Sequence, residues 1–338
     1  MMIVFYYIKG ESFVKIGKLS WEELKKIIKN NKGFLREEVR VRSKIGEDCS
    51  VVNFGDYECV LSTDPITGAE NNIGRLAVHI NTNDIASCGV EPLGILVTIL
   101  IPPHVELEKV EEIMKEIDEE AKKLKLEILG GHTEVTDAVN RVVVSCTVIG
   151  KTEAGRAIST SGAKIGDDII VTKSLCIEGT SIIVNDHYNK AKEVLSAEEL
   201  EEARTYTEKL SVVKEGIIAG EFGVNSMHDI TEGGILGAIW EVAEGSGVGF
   251  KLYKDKLPIT NITQKLCEKF SIDPLRFISS GSMVITCGNS YELVEILNSQ
   301  GIDACIVGSI IKEGKILVED DQDKEVFPPE KDELFSLN

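Results

Sequence analysis

The sequence has no uninterrupted apolar stretch of about 20 residues, the length a helix needs to cross a bilayer. Its longest apolar run, Leu93 to Ile101, is broken by Gly94 and Thr98, so no membrane partner is expected. The opening segment MMIVFYYIKG has no basic region ahead of its apolar run and no small-residue cleavage site. It reads as a strand, not as a secretion signal. None of the eight cysteines (Cys49, Cys59, Cys88, Cys146, Cys176, Cys267, Cys287, Cys305) forms a C-x-x-C pair. That argues against zinc ribbons and disulfide frameworks and for reduced thiols in a cytoplasmic protein, most of them buried as small hydrophobes. The phosphate-loop pattern G-x-x-x-x-G-K-[ST] is absent, and the G-x-G-x-G at Gly245–Gly249 follows a helix instead of opening one. Basic charge is also scarce: Lys+Arg number 37 against Asp+Glu 56, a net charge of -19. Nucleic acid and anionic membranes reward a basic face and are disfavoured as partners. Small phosphorylated ligands stay open, because acidic sites hold them through a divalent cation.

The 338 residues, 43% hydrophobic and 28% charged, fit two soluble domains each with its own core. Ser20 and Glu23 spell a capping box ahead of a helix striped by Leu24, Ile27 and Ile28. Glu58 to Thr63 reads as a buried strand, and Leu93 to Ile101 as a strand stopped by Pro102-Pro103. Leu107, Val110, Met114, Ile117, Ala121 and Leu124 predict a long amphipathic helix. Glu127–Leu129 and Arg141–Ile149 read as strands flanking a Gly-rich turn. The small, polar segment between Gly150 and Gly166 marks a boundary, giving units 1–155 and 156–338. Beyond it come a strand at Asp168–Thr172 and two helical stretches, the second capped by Ser196 with Glu199. A helix over about Glu232–Glu244 follows, then strands at Met283–Cys287, Ala304–Val307 and Lys315–Val318, and a loose polar tail. Strands and helices mix in both halves, so the expected class is α+β.

Carboxylates carry the chemistry. Glu47 and Asp48 sit in a G-E-D turn, and Asp64 ends a strand in S-T-D-P. On a helix predicted from Ile73 to Cys88, Asn81, Asp84 and Cys88 share one face. An acid on an apolar helix is either a hydrogen-bonded structural group or a ligand. If Asp48, Asp64 and Asp84 converge to ~5 Å, each pair repels by about 3 kcal/mol at an effective dielectric of about 20. Such a cluster needs a cation or a shared proton, and hard oxygens suit Mg²⁺. Gly130-Gly131-His132-Thr133-Glu134 offers amides to a phosphate or simply turns. For His132 a turn or hydrogen-bonding role is the expectation, with metal or catalytic use the alternative. His79, His104, His187 and His228 show no ligand spacing. Asp229 to Gly234 opens a helix, as an N-cap or an anion site. Ser279-Ser280-Gly281-Ser282 either holds a polar ligand or turns.

Five segments in order, G-E-D-C-S-V, S-T-D-P, N-T-N-D-I-A-S-C-G-V-E-P, L-G-G-H-T-E and D-I-T-E-G-G-I-L-G-A-I-W-E-V-A, resemble the aminoimidazole ribonucleotide synthetase (PurM-like) superfamily. Its members include that purine enzyme, thiamine-monophosphate kinase, selenophosphate synthetase and the hydrogenase maturation factor HypE. Ser161–Thr172 resembles the family's entry to its second domain, and the match spans about Gly17 to Gly308. The resemblance implies two α/β domains, with N-terminal sheets pairing into a barrel-like homodimer core. It further implies ATP in a cleft near that interface, held through Mg²⁺ by Asp48, Asp64 and Asp84, with Glu47 a further candidate. Gly130, Gly131 and His132 would line the phosphate path, with Thr63, Asn81 and Lys18 also near the nucleotide. Asp229 and Glu232 would orient the acceptor, with Gly233 and Gly234 beside them. The pattern departs from thiamine-monophosphate kinases, which carry G-G-D-T and D-[IV]-S-D-G, and from the purine enzyme's G-G-E-T. Selenophosphate synthetases share G-G-H but need an N-terminal-loop cysteine, and the first cysteine here is Cys49. HypE is most similar, through D-x-T-x-G-G, yet it carries its carbamoyl group on a C-terminal cysteine, and the last cysteine here is Cys305. The expectation is an ATP- and Mg²⁺-using enzyme that phosphorylates or activates an oxygen of an unidentified acceptor. The alternatives are a non-catalytic nucleotide-binding protein partner and a thiamine-phosphate kinase.

Overall fold

The computed structural model describes residues 19, 21–67, 71–328 and 331–337. The opening strand, the Ser20 cap and Lys18 lie outside the described residues. Strands β1 (Val39–Val41), β2 (Ser50–Asn53), β3 (Tyr57–Ile66), β4 (Pro92–Ile101), β5 (Glu127–Val135) and β6 (Val143–Glu153) form one mixed sheet in the order β1-β2-β3-β6-β4-β5. A second mixed sheet contains β7 (Asp168–Thr172), β8 (Ser226–Asp229), β9 (Gly249–Tyr253), β10 (Met283–Cys287), β11 (Ala304–Ile311), β12 (Lys315–Glu319) and β13 (Gln322–Glu325). Its order is β13-β12-β9-β11-β7-β10-β8. Helices are α1 (Trp21–Asn30), α2 (Ile73–Ser87), α3 (Leu107–Lys123), α4 (Ile177–Asp186), α5 (Tyr188–Ala191), α6 (Ala197–Arg204), α7 (Val213–Phe222), α8 (Gly234–Ser246), α9 (Asn261–Phe270) and α10 (Ser290–Ser299). The parallel pair β4–β5 is joined through α3, as a crossover requires. Val110, Ile113, Ile117 and Ala121 of α3 are buried while its charged face meets solvent.

Several local expectations need correction. Gly130–Glu134 is no turn: it runs inside the exposed edge strand β5. A Cβ on Gly131 would lie 1.8 Å from the Val97 carbonyl oxygen, so close approach of β4 demands the glycine. Asp64 sits within β3, which continues to Ile66, and that strand alternates between buried and exposed positions instead of being buried throughout. Asp229 closes β8 and is not a helix cap, and α8 begins at Gly234 after a left-handed Gly233. Four α-helices, α4 to α7, not two, lie between β7 and β8, and the Ser196–Glu199 capping box forms as expected but on the third of them. The charged tail is not loose. It supplies β13 and the buried Asp332, which accepts the Gly233 N–H at 2.6 Å and the Leu334 N–H at 2.7 Å. Strands β1, β2, β8, β9 and β13 and helices α7, α9 and α10 have no counterpart in the sequence reading.

Helix α2 is the centre of the molecule, with all but two of its residues buried. It packs on the first sheet, on α3 and on α7 of the second half. Contact with α7 is backbone to backbone: a Cβ on Gly216 would meet the Ala86 oxygen at 2.3 Å, and one on Gly220 would meet Gly89 Cα at 2.6 Å. Glu120 of α3, itself buried, ties α2 in place through Arg75 at 3.0 Å and His79 at 3.2 Å, and also pairs with Lys123 at 2.9 Å. Burial opposes its charge, but bonds from His79 and Lys123 and the charge on Arg75 win and hold it at about 2 against an ordinary 4.5. Between those two values the unfolded chain binds the extra proton, so this contribution is full above pH 4.5 and fades as pH falls toward 2. Glu120→Ala is expected to cost about 1–3 kcal/mol at pH 7, because the buried His79 ring and the half-buried Arg75 lose their hydrogen-bonding carboxylate. It should also flatten the acid limb of stability, read by denaturant unfolding across pH.

Candidate functional site

The first sheet, α2 and β8 bring carboxylates together. Asp48 enters from the G-E-D turn, whose Gly46 is left-handed at φ 79 with Glu241 against it. Ser87 of α2 donates to Asp48 Oδ2 at 2.9 Å. Asp84, one turn earlier on α2, accepts from the Ser62 hydroxyl of β3 at 2.6 Å, and its backbone oxygen accepts the Cys49 thiol at 3.1 Å. Asp229 ends β8 at 1% exposure. Neither of its carboxylate oxygens has a hydrogen-bond partner, an arrangement that costs about 1–3 kcal/mol or more for a charged group. Asp48, Asp229 and His228 present ligand-type atoms within 4.8 Å of one another.

Electrostatics follow from this crowding. Burial, reinforced by Asp229 and Glu241, raises Asp48 to about 8 despite the opposing charge of His228. Burial also pushes Asp84 well above the carboxylate range, with Asp229, Asp64 and Asp48 adding to it. For His228 burial acts downward, but Asp48, Asp229 and Glu241 outweigh it and keep the imidazole charged well above its usual titration. Its Nδ1 donates to the Asp229 backbone oxygen at 2.6 Å and stands 3.4 Å from Asp48 Oδ2, and its Nε2 donates to Glu241. With both nitrogens donating, no lone pair remains for a metal, so His228 serves here as a built-in cation. The hard oxygens of Asp48 and Asp229 fit a divalent cation, with Asp84 and Asp64 as further acids whose charges are felt at the same place. The Asp229 oxygens, which have no hydrogen bond and only His228 Nδ1 at 3.7 Å, are the groups it would satisfy.

The other expected residues divide. Asn81 is spent on backbone: its Oδ1 accepts the Asp64 N–H at 2.8 Å, and its Nδ2 donates to the Ala77 oxygen at 2.9 Å. It positions Asp64. Glu47 turns away to accept from Ser159 at 2.6 Å and from Ser161. Thr63 bonds the Cys146 oxygen and Thr147, each at 2.9 Å; strand alternation sets it opposite Ser62 and Asp64. Gly131 shares a cross-sheet row with Asp64 through Cys146 and Val97. Three strand spacings make that about 14 Å, so Gly130, Gly131 and the exposed His132 stand apart from the carboxylates. Glu232 neighbours Glu178 and Asp332 instead of Asp48. Gly233 and Gly234 form the left-handed entry to α8, with the Gly233 amide already taken by Asp332. His228 and Glu241 were missed. The available signals were a histidine beside an acid in a buried strand, and one acid in the apolar run of α8.

Residues 46–152 match the AIR synthase related protein N-terminal domain, and residues 164–321 match its C-terminal domain. The chain belongs to the AIR synthase-related family. A putative hydrogenase expression/formation protein of Methanocaldococcus jannaschii is 32% identical over 317 residues, covering 88% of this chain and 90% of the relative. Carbamoyl dehydratase HypE of Bradyrhizobium diazoefficiens is 26% identical over 246 residues, or 71% of this chain and 69% of that one. Among solved structures, a HypE–HypF complex aligns with a TM-score of 0.73 at 23% identity, covering 90% of this chain and 99% of that one. ThiL complexed with AMPPCP and TMP aligns at 0.69 and 23%, covering 85% and 91%. These likenesses establish a two-domain α+β PurM-like fold built on two mixed sheets. Among the described residues no helix is long and apolar enough to cross a membrane.

The AIR synthase-related cluster makes a pH signature. With Asp48 at about 8 against an ordinary 3.8, the folded chain holds the extra proton between those values. Stability from this group is therefore full below 3.8 and is lost as pH rises toward 8. Denaturant midpoints measured without divalent cations should fall across that window, and Asp48→Asn should flatten the fall.

Proposed function

We propose that the protein is a HypE-like, ATP-dependent enzyme that uses Mg²⁺ and ATP to phosphorylate or activate an oxygen of a small acceptor. The observation that carries this reading is the buried Asp229 carboxylate, without a hydrogen bond, facing Asp48 and within the field of Asp84. A solved HypE relative is in complex with ATP, and ThiL is complexed with AMPPCP and TMP; both agree with a nucleotide site on this fold. In this reading Asp48, Asp84 and Asp229 hold the cation, with Asp64 set by Asn81 at its edge. Mg²⁺ would supply charge neutralisation for the triphosphate. The chain's own part is positioning. Ser62 and Ser87 aim two of the acids, and His228 lowers the cost of packing them. With Asp229 committed to the cation, Glu232, on the side of Glu178 and Asp332, is the group assigned to the acceptor oxygen.

Residues 1–155 would be the nucleotide-binding and dimerisation unit, and 156–338 the second α/β unit that adds Asp229 to the site. The exposed Leu93, Leu96, Leu129 and Val135 on β4 and β5 are the apolar residues we assign to a homodimer contact. The HypE–HypF complex makes a maturation partner protein a second expected association.

Thermal unfolding with ATP and Mg²⁺ tests the reading. Ligand at 100 times its dissociation constant stabilises by about 2.7 kcal/mol, so wild type should show a magnesium-dependent rise in Tm that Asp84→Asn lacks. Absence of any nucleotide shift in folded wild type would overturn the assignment. ATP consumption should then appear with one member of a panel of carbamoyl compounds and phosphate monoesters, thiamine monophosphate included. Binding without consumption across the panel would favour the non-catalytic partner.

A further inference from the structure

A second site lies on the other side of Glu47. A cavity of about 270 Å³ is lined by Lys32, Arg40, Arg42, Lys44, Glu47 and Ser159. Four cationic side chains thus meet at one cleft of a chain whose net charge is -19. Two of them are anchored. Arg40 is fixed on the buried Glu58 at 2.5 and 2.8 Å, and Lys44 reaches Glu47 at 3.5 Å. Arg42 donates to the Arg36 carbonyl at 2.6 Å, and neither it nor Lys32 has a carboxylate partner among the described residues. The acid in the lining is already satisfied: Glu47 accepts from Ser159 and Ser161 as well as facing Lys44. Nothing in the packing requires Arg42 or Lys32, since both are exposed. Both charges are thus free to meet a ligand at the cleft.

We infer that this cleft seats the anionic end of the acceptor, a phosphate or carboxylate group. Arg42 and Lys32 would be its direct partners, and Arg40 and Lys44 the fixed positive wall. The inference rests on the reading of the carboxylate cluster as the nucleotide side of the same active site. Glu47 and Asp48 are consecutive, so the cleft and the carboxylate cluster lie on the two sides of one turn. A guanidinium paired bidentately with an oxyanion gives direction as well as attraction. An acidic protein would otherwise repel such a substrate.

Calorimetric titration with inorganic pyrophosphate and, separately, tricarballylate tests this on the full chain without Mg²⁺ or nucleotide. At least one should bind wild type, and Arg42→Gln and Lys32→Gln should each weaken it tenfold or more. Asp84→Asn should leave it unchanged, which separates this site from the nucleotide site. Preference for pyrophosphate assigns a phosphorylated acceptor, and preference for tricarballylate a carboxylate. The anion should still bind with Mg²⁺ and a non-hydrolysable ATP analogue present; competition would make the cleft a seat for the nucleotide's phosphates and overturn the acceptor assignment. No binding of either anion to folded wild type, or binding indifferent to both substitutions, would overturn the site. Magnesium-dependent ATP binding by the same preparation shows that the nucleotide reading stands when the cleft fails.

Discussion

The molecule depends on buried polar side chains of α2 that clamp its two halves. Asn83 gives its Nδ2 to the Leu210 carbonyl at 2.9 Å and takes the Val212 N–H on its Oδ1 at 2.9 Å, fastening the second half to the helix. Asn81 fastens β3, and Asp84 reaches Ser62 between them. Each amide is satisfied at both ends, which is what makes it tolerable in a core, since an unpaired one would cost more than the contact returns. The same three or four residues therefore hold the chain together and aim an acid into the site.

Around that clamp the protein concentrates negative charge where it is least stable. Desolvation and mutual repulsion raise Asp48 and Asp84, and the Asp229 carboxylate has no hydrogen bond, only the His228 imidazole 3.7 Å away. His228, held by Glu241, offsets part of the repulsion from inside the fold. Arrangements of this kind are expected where a binding function needs them, with the stability recovered elsewhere. Here the recovery comes from the apolar cores on either side of α2 and from satisfied ion pairs such as Glu120 with Arg75 and His79.

Much of the fold was legible because the periodicities were strong. The stripe on α3, the run of β4 and the N-T-N-D spacing on α2 each have one physical reading, and ordered motifs led to the family. What was illegible depends on distant chain. Gly130 and Gly131 resemble a turn until β4 is seen pressed against them. A polar tail looks unstructured until Asp332 is found capping the Gly233 amide. Asn81 has the composition of a ligand, yet its hydrogen bonds go to backbone. His228 has no sequence spacing to betray it, since Asp48 and Glu241 reach it from opposite directions along the chain.

The glycine contact between α2 and α7 has a mechanical consequence. Gly216 and Gly220 let two backbones touch, and such a surface has no side-chain layer to slide or re-pack. A hinge between the two halves at this contact would have to open a void along the helix pair. Excluding water at the site then falls to long side chains at its rim, which can move without disturbing that joint.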